Sequence, residues 1–342
     1  MKAMKKFLFF AFFSLFLTAC DKAPEQITLT GKTMGTTYSV KYIDDGKVAN
    51  LPKSSDVQAE LDRLLKTVND EMSTYQKNSQ ISQFNQMKEA NKPFVISQDF
   101  ATVVQEAIRL NTITEQALDV TVGPLVNLWG FGPDKRLNKV PSAEQIAEKS
   151  RSVGIDKLLL ENNQLTKKEA DLYLDLSSIA KGFGVDKLAE QLEQLGVENY
   201  LVEIGGELRG KGKNLQGQAW RIAIEQPALA QGVATQIIVP LDNLAMATSG
   251  DYRNYFEDEQ GNRFSHIIDP KQLRPINHNL ASITVFAPTT MTADGLSTGL
   301  FVLGADKALE IAEKENLAIF MIIKNGQHFE TKASKAFEKL IH

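Results

Sequence analysis

Three short stretches of this 342-residue chain combine polar side chains in patterns suited to gripping phosphate, holding a metal or moving a proton. The first, Asp175-Leu176-Ser177-Ser178-Ile179-Ala180-Lys181-Gly182, falls where a strand pattern gives way to a helix pattern. Backbone N–H groups without helical partners and the positive end of the helix dipole meet at such a junction. Lys181 adds a cation, and glycines at 182 and 184 let a ligand or a second backbone come close. That combination suits a phosphate; the plainer alternative is that Asp175 and Ser177 cap the helix and Lys181 is solvated. The second stretch is Thr292-Ala293-Asp294-Gly295-Leu296-Ser297-Thr298. If it is helical, Asp294 and Thr298 lie four apart on one face, a carboxylate and a hydroxyl together. Few, hard oxygen donors of this kind suit magnesium that leaves its other sites to water and phosphate oxygens. Read without a metal, Asp294 complements the helix dipole and Thr298 bonds its own helix. The third stretch, Phe264-Ser265-His266-Ile267-Ile268-Asp269-Pro270, alternates a histidine with apolar residues and stops at Asp-Pro. His266 could act as a general base, with Asp269 orienting it or shaping the turn; a structural histidine is the alternative. Of the other histidines, His342 is terminal and His278 and His328 sit in polar stretches.

Two nucleotide signatures fail on inspection. Gly205-Gly206-Glu207-Leu208-Arg209-Gly210-Lys211-Gly212 nearly spells a P-loop, but Gly212 stands where a Ser or Thr must reach magnesium, and no helix pattern comes after it. It reads as a tight turn after a strand. Neither Gly182-Phe183-Gly184 nor Gly210-Lys211-Gly212 has the third glycine of a dinucleotide fingerprint, which disfavours a Rossmann site.

Periodicity predicts the scaffold that holds these groups. Apolar residues at three- and four-residue steps predict helices over Ser55–Met72, Ser97–Ala117 and Ser177–Leu195, with Gly196 as a C-cap, and over Thr292–Leu303 and Asp306–Glu315. Runs rich in β-branched and aromatic residues predict strands over Thr36–Ile43, Leu172–Leu176, Tyr200–Ile204, Trp220–Glu225, Thr235–Val239, Ser282–Phe286 and Leu317–Lys324. The last leads through Asn325-Gly326 into Gln327–Thr331. Helices do not separate every pair of strands, so the pattern predicts an α+β fold of mixed, largely antiparallel sheets packed with helices. No fixed-period repeat is visible.

The N-terminus and composition set the context. Lys2, Lys5 and Lys6 precede a run from Phe7 to Leu17, apolar except for Ser14, that is too short to span a bilayer. It closes on Leu17-Thr18-Ala19-Cys20, the pattern of a lipoprotein signal, so residues 1–19 are expected to be removed and Cys20 to carry the lipid. Asp21 then resembles a retention signal for the inner membrane, with the domain facing the periplasm. Residues 20–26 are expected to form a tether and 27–342 the domain, as one core or two fused lobes. Cys20 is the only cysteine, which excludes disulfides, cysteine-ligated zinc and a thiol nucleophile from the domain. Loss of the three lysines takes the formal net charge from −4 to −7, and no basic block remains to suggest nucleic acid as a partner.

Taken in order, eight motifs resemble the ApbE family of flavin transferases over nearly the whole mature chain. They are Thr33-Met34-Gly35-Thr36-Thr37-Tyr38; Met72-Ser73-Thr74-Tyr75 with Ser79-Gln80-Ile81-Ser82-Gln83-Phe84-Asn85; Ala117-Leu118-Asp119-Val120-Thr121-Val122-Gly123-Pro124; the Asp175–Gly182 stretch; Ile204-Gly205-Gly206-Glu207; Thr248-Ser249-Gly250-Asp251-Tyr252; His266-Ile267-Ile268-Asp269-Pro270; and Ala293-Asp294-Gly295-Leu296-Ser297-Thr298. The resemblance implies an ApbE-like, T-fold-related architecture. It implies that Met34, Tyr75, Ala117, Leu118, Asp119, Asp175, Lys181 and Ile268 line an FAD site, and that Asp294, Thr298 and the main-chain carbonyl of Ser178 hold Mg²⁺. Lys181 stands where some relatives carry a glutamate. An aromatic residue at Tyr75 favours transfer over hydrolysis.

The chemistry so implied is magnesium-dependent transfer of the FMN half of FAD to a protein threonine, with AMP leaving and His266 as the base. The implied acceptors are subunits of sodium-translocating NADH:quinone reductase and of Rnf-type complexes, which share a membrane face with a lipid-anchored enzyme. Two other readings use the same residues: a magnesium-dependent FAD pyrophosphatase giving FMN and AMP, and a non-catalytic flavin-binding lipoprotein.

Overall fold

The computed structural model describes residues 23–133, 140–225, 236–250, 255–257 and 263–341. Eight strands pair into one antiparallel sheet: β1 (Glu25–Thr33), β2 (Thr36–Asp44), β3 (Tyr200–Ile204), β4 (Glu207–Lys211), β5 (Leu244–Gly250), β6 (Leu280–Ala287), β7 (Ala318–Asn325) and β8 (His328–Ala333). In space they stand in chain order. The α+β, largely antiparallel pattern expected from the sequence is the architecture found. β1 begins inside the stretch expected as a tether, for Gln26 already pairs with Ile43. Cys20 and residues 1–19 lie outside the described residues.

Five longer helices cover the sheet: α1 (Ser54–Met72), α2 (Gln98–Ile113), α3 (Ala180–Gln194), α4 (Thr290–Leu303) and α5 (Ala305–Lys314). In α1 the stripe Val57, Leu61, Leu65, Val68 and Met72 is buried, as the 3.6-residue period requires. Ser97 caps α2 by accepting the Phe100 N–H at 3.1 Å, and α2 ends short of its expected limit because Glu115 and Gln116 take positive φ. α1 and α3 pack with β1 to β3 around Tyr38, Val40, Leu65, Val185 and Tyr200. The opposite face of the sheet is closed by the ribbon Trp220–Glu225 with Gln236–Leu241 and by the helix Lys335–Ile341, around Trp220, Phe286, Phe320 and Phe337. β6 is buried on both faces, so even its polar residues Ser282 and Thr284 are enclosed.

The element order repeats. A strand pair, α1 and α3, and a second strand pair make the first half; β5 and β6, α4 and α5, and β7 and β8 make the second. The halves meet where β4 pairs with β5 at only three positions, Leu208 with Met246, Arg209 with Ala245 and Gly210 with Leu244.

One expected strand is absent. Leu172, Leu174 and Leu176 alternate inward as a strand would, yet Leu172–Leu176 joins no ladder. At its centre a side chain replaces the ladder: Asn85 Nδ2 donates to Leu174 O at 2.9 Å, and Leu174 N donates to Asn85 Oδ1 at 2.8 Å, while the Asp175 N–H donates to the Val120 carbonyl. Likewise only Gly205 and Gly206, at φ 59 and 103, form the turn expected after the preceding strand; Glu207–Lys211 is β4, and Gly212 at φ 67 follows it.

Candidate functional site

A cleft of about 940 Å³ opens where the two halves join, and all twelve residues expected to act line it: Met34, Tyr75, Ala117, Leu118, Asp119, Asp175, Ser178, Lys181, His266, Ile268, Asp294 and Thr298. Each is placed by a local device. Met34 and Gly35, at φ 50 and 74, form the two-residue turn between β1 and β2, which sets Met34 against the cleft. Tyr75 stands at the rim, 69% exposed. Desolvation there and the Asp175 carboxylate raise its phenol above the ordinary value. Ala117 and Leu118 are buried, and both backbone groups of Leu118 are tied: its N–H to Thr114 Oγ1 at 3.0 Å, its carbonyl to Asn111 Nδ2 at 2.7 Å. Asp119 Oδ1 accepts the N–H and hydroxyl of Thr121, and burial raises its carboxyl above the usual range.

The helix expected from Ser177 starts at Ala180. Asp175 Oδ1 accepts the Ser177 N–H at 2.9 Å, a turn ahead of the helix rather than a cap on it. Gly182 serves backbone packing, not a ligand: a Cβ there would lie 2.4 Å from Thr290 O and 2.8 Å from Asp294 Cβ. That contact lets the Gly182 N–H donate to Asp294 Oδ2 at 2.9 Å. In return Asp186, one turn along α3, accepts the Thr290 and Met291 N–H groups that open α4, at 2.9 and 2.8 Å. The two helices are thus stapled in both directions, and Asp294 is held by the staple.

Lys181 is not a free surface cation; half-buried in the cleft wall, it forms an ion pair with Glu207 at the start of β4. Burial lowers the Lys181 pKa, but the Asp294 and Glu207 carboxylates outweigh it and the net shift is upward. Burial also raises both acids, Glu207 to about 7, with Lys181 opposing in each case. Glu207 Oε2 is buried without a hydrogen-bond partner. Two buried carboxylates against one lysine leave the pocket short of positive charge. Among the described residues no group of three or more His, Cys, Asp or Glu gathers as a metal nest. One carboxylate, one hydroxyl and one carbonyl would still suit Mg²⁺, which keeps waters and phosphate oxygens in its shell, and the charge deficit favours a cation.

His266 falls between two short strands, Arg263–Ser265 and Ile268–Asp269, rather than inside one, with its ring edge-on to Phe131 at 6.4 Å. Asp269 shapes the turn: its Oδ1 accepts the Lys271 and Gln272 N–H groups at 2.8 and 3.0 Å.

The ApbE family pattern matches residues 34–321, which takes in every cleft residue named above. The chain belongs to the ApbE family. It is 59% identical over 331 residues to a protein of Haemophilus influenzae named FAD:protein FMN transferase, covering 96% of this chain and 95% of that one. A protein of the same name from Escherichia coli K12 is 40% identical over 342 residues, covering 96% and 95%. The solved flavin transferase ApbE from Vibrio cholerae superposes with a TM-score of 0.86 at 50% identity, covering 93% of this chain and 99% of that chain. The apo flavinyl transferase ApbE of Pseudomonas stutzeri gives 0.86 at 41%, covering 93% and 97%.

Within this ApbE cleft, two residues have roles that their motifs do not reveal. Glu207 stands in the sequence only as the end of a glycine motif, and nothing local shows that its strand brings it to Lys181. Ser249 contacts Ser297 and Thr298 from β5, at 2.8 and 3.3 Å. Asp251 and Tyr252 of the same motif lie outside the described residues.

Proposed function

We propose that this chain is an FAD:protein FMN transferase. The observation that carries the reading is the convergence, in one cleft of an ApbE fold, of two buried carboxylates flanking a half-buried lysine, a rim tyrosine and a histidine from separate elements. Met34, Ala117, Leu118 and Ile268 give the cleft apolar walls for flavin and adenine rings, and Tyr75 at the rim offers a face for the isoalloxazine. Lys181 faces the place where the pyrophosphate would lie, but two carboxylates oppose its charge and Asp294 takes the Gly182 N–H, so a cation beside them would supply the positive potential the phosphates need.

Asp294, Thr298 and the Ser178 carbonyl would hold Mg²⁺, which when bound would neutralise charge on the attacked phosphate and on the leaving group. His266 takes the proton from the acceptor threonine hydroxyl. The threonine oxygen bonds the flavin-side phosphorus, the P–O bond to adenylate breaks, and AMP departs with that bridging oxygen. The threonine keeps FMN through a phosphoester.

Lipid on Cys20, an inner-membrane position facing the periplasm, and acceptors among the subunits of sodium-translocating NADH:quinone reductase and Rnf-type complexes complete the proposal. No helix among the described residues is long and apolar enough to cross a membrane. Residues 1–19 would be the signal, and 27–342 the catalytic domain with its two halves.

The test incubates the protein with FAD, Mg²⁺ and an acceptor subunit. Protein-bound flavin fluorescence that survives denaturation supports transfer. Free FMN without labelled acceptor would replace it with hydrolysis, and unchanged FAD with storage.

A further inference from the structure

Around Thr298 the hydroxyl protons can be counted. Ser297, fully buried in α4, donates to the Asp294 carbonyl at 2.9 Å, an acceptor that has no proton to give. A hydroxyl has one proton, so in the 2.8 Å contact between Ser249 and Ser297 the donor must be Ser249. With the Ser249 proton spent, the 3.3 Å contact between Ser249 and Thr298 runs the other way, Thr298 donating. The chain therefore has one direction: Thr298 to Ser249 to Ser297 to the Asp294 backbone.

A threonine inside a helix ordinarily turns its hydroxyl back onto the carbonyl four residues earlier, here that of Asp294. That carbonyl already accepts from Ser297, and Ser249 reaches over from β5 to take the Thr298 proton instead. The Thr298 oxygen is left with its lone pairs for the cleft that Thr298, Ser249 and Asp294 all line.

We infer that Ser249 is a positioning residue that turns the Thr298 hydroxyl outward, as an acceptor-only oxygen, toward a divalent cation held with Asp294. This rests on the proposed reading of Asp294 and Thr298 as cation ligands. Partners that orient a ligand commonly change metal affinity by one to two powers of ten when removed; a neutral hydroxyl at 3.3 Å belongs at the lower end, about tenfold.

The test uses Mn²⁺ as the probe, titrated into the metal-free protein without flavin and followed by loss of the free-ion EPR signal. Ser249→Ala is expected to weaken binding about tenfold, and Ser249→Thr to retain it, with metal-free melting temperatures within about 2 °C of wild type. If Ser249→Ala lowers the melting temperature further, Ser249→Cys, which fills the site with a slightly larger but weak acceptor, is read in its place against the same expectation. Wild-type affinity in the serine variant, alongside weakened binding in Thr298→Ala, would overturn the role of Ser249 and leave the cation site standing. Wild-type affinity in Asp294→Ala and Thr298→Ala would remove the cation site and this inference with it.

Discussion

Replacing Asp186 by alanine tests whether the mutual staple between α3 and α4 places Asp294. Asp186 is 4% exposed, and its two oxygens accept the Thr290 and Met291 N–H groups while Arg209 Nη1 approaches at 3.1 Å. Hydrogen bonds to a charged acceptor contribute about 1.5–3 kcal/mol each, so the two would sum to roughly 3–6 kcal/mol. Some of this is recovered, because Arg209 keeps a longer contact to Glu193, at 3.5 Å, and Thr289 still caps α4 through the Thr292 N–H. The expected loss is about 3–4 kcal/mol, read as a lower urea midpoint at unchanged slope. Asp186→Asn should fall between, since its amide keeps one acceptor but sets an NH₂ against a donor. The loosened start of α4 lies one turn from Asp294, so Mg²⁺ dependence of turnover should weaken in step with stability. A loss below about 1 kcal/mol, or wild-type Mg²⁺ dependence in a clearly destabilised variant, would refute the staple as the device that seats Asp294.

Asp294→Ala should abolish Mg²⁺-dependent turnover; it also strips the buried Gly182 N–H of its acceptor, so stability should fall by about 1–3 kcal/mol while the fold persists, and full activity would take Asp294 out of the metal site. His266→Ala should slow transfer far more than it weakens FAD binding, and equal losses in a titration would make His266 a binding residue. Gly182→Ala must part α3 from α4 and should lower stability by about 1–3 kcal/mol in denaturation, together with turnover. Lys167, fully buried beside Phe84, has its pKa lowered to about 8 by burial and by Lys88. The unfolded chain therefore binds the extra proton between about pH 8 and 10.5, and this group adds stability as pH rises through that window. Compared with Lys167→Met, the wild type should gain about 1–2 kcal/mol from pH 7.5 to 10.5, the full shift being reduced by screening; a constant difference would show that the lysine is not desolvated.

The stretches around Lys181, His266 and Asp294 all reach the cleft, because each is a short sequence whose residues act where they stand. Periodicity could not reveal how the elements meet. Leu172–Leu176 has the alternation of a strand, and only the distant Asn85 shows why it needs no ladder. Gly182 looks like a phosphate-loop glycine, and its use becomes clear only when α4 is set against it. Glu207 belongs to a different half from Asp294, and Lys181 faces both because α3 is stapled to α4 across the join. The doubled element order carries no fixed residue period, since long insertions separate α1 from α3 and β5 from β6.

The sheet's chain-ordered strands also bear on how the protein folds. Pairs such as β1 with β2, β3 with β4 and β7 with β8 close over two-residue turns, the most local strand contacts a chain can make. The seams β2 to β3 and β4 to β5 wait on much longer excursions, and the cleft draws on residues from both sides of the second. The nucleotide pocket is then among the last parts of the molecule to come into being, and a half-folded chain has nothing with which to seize FAD.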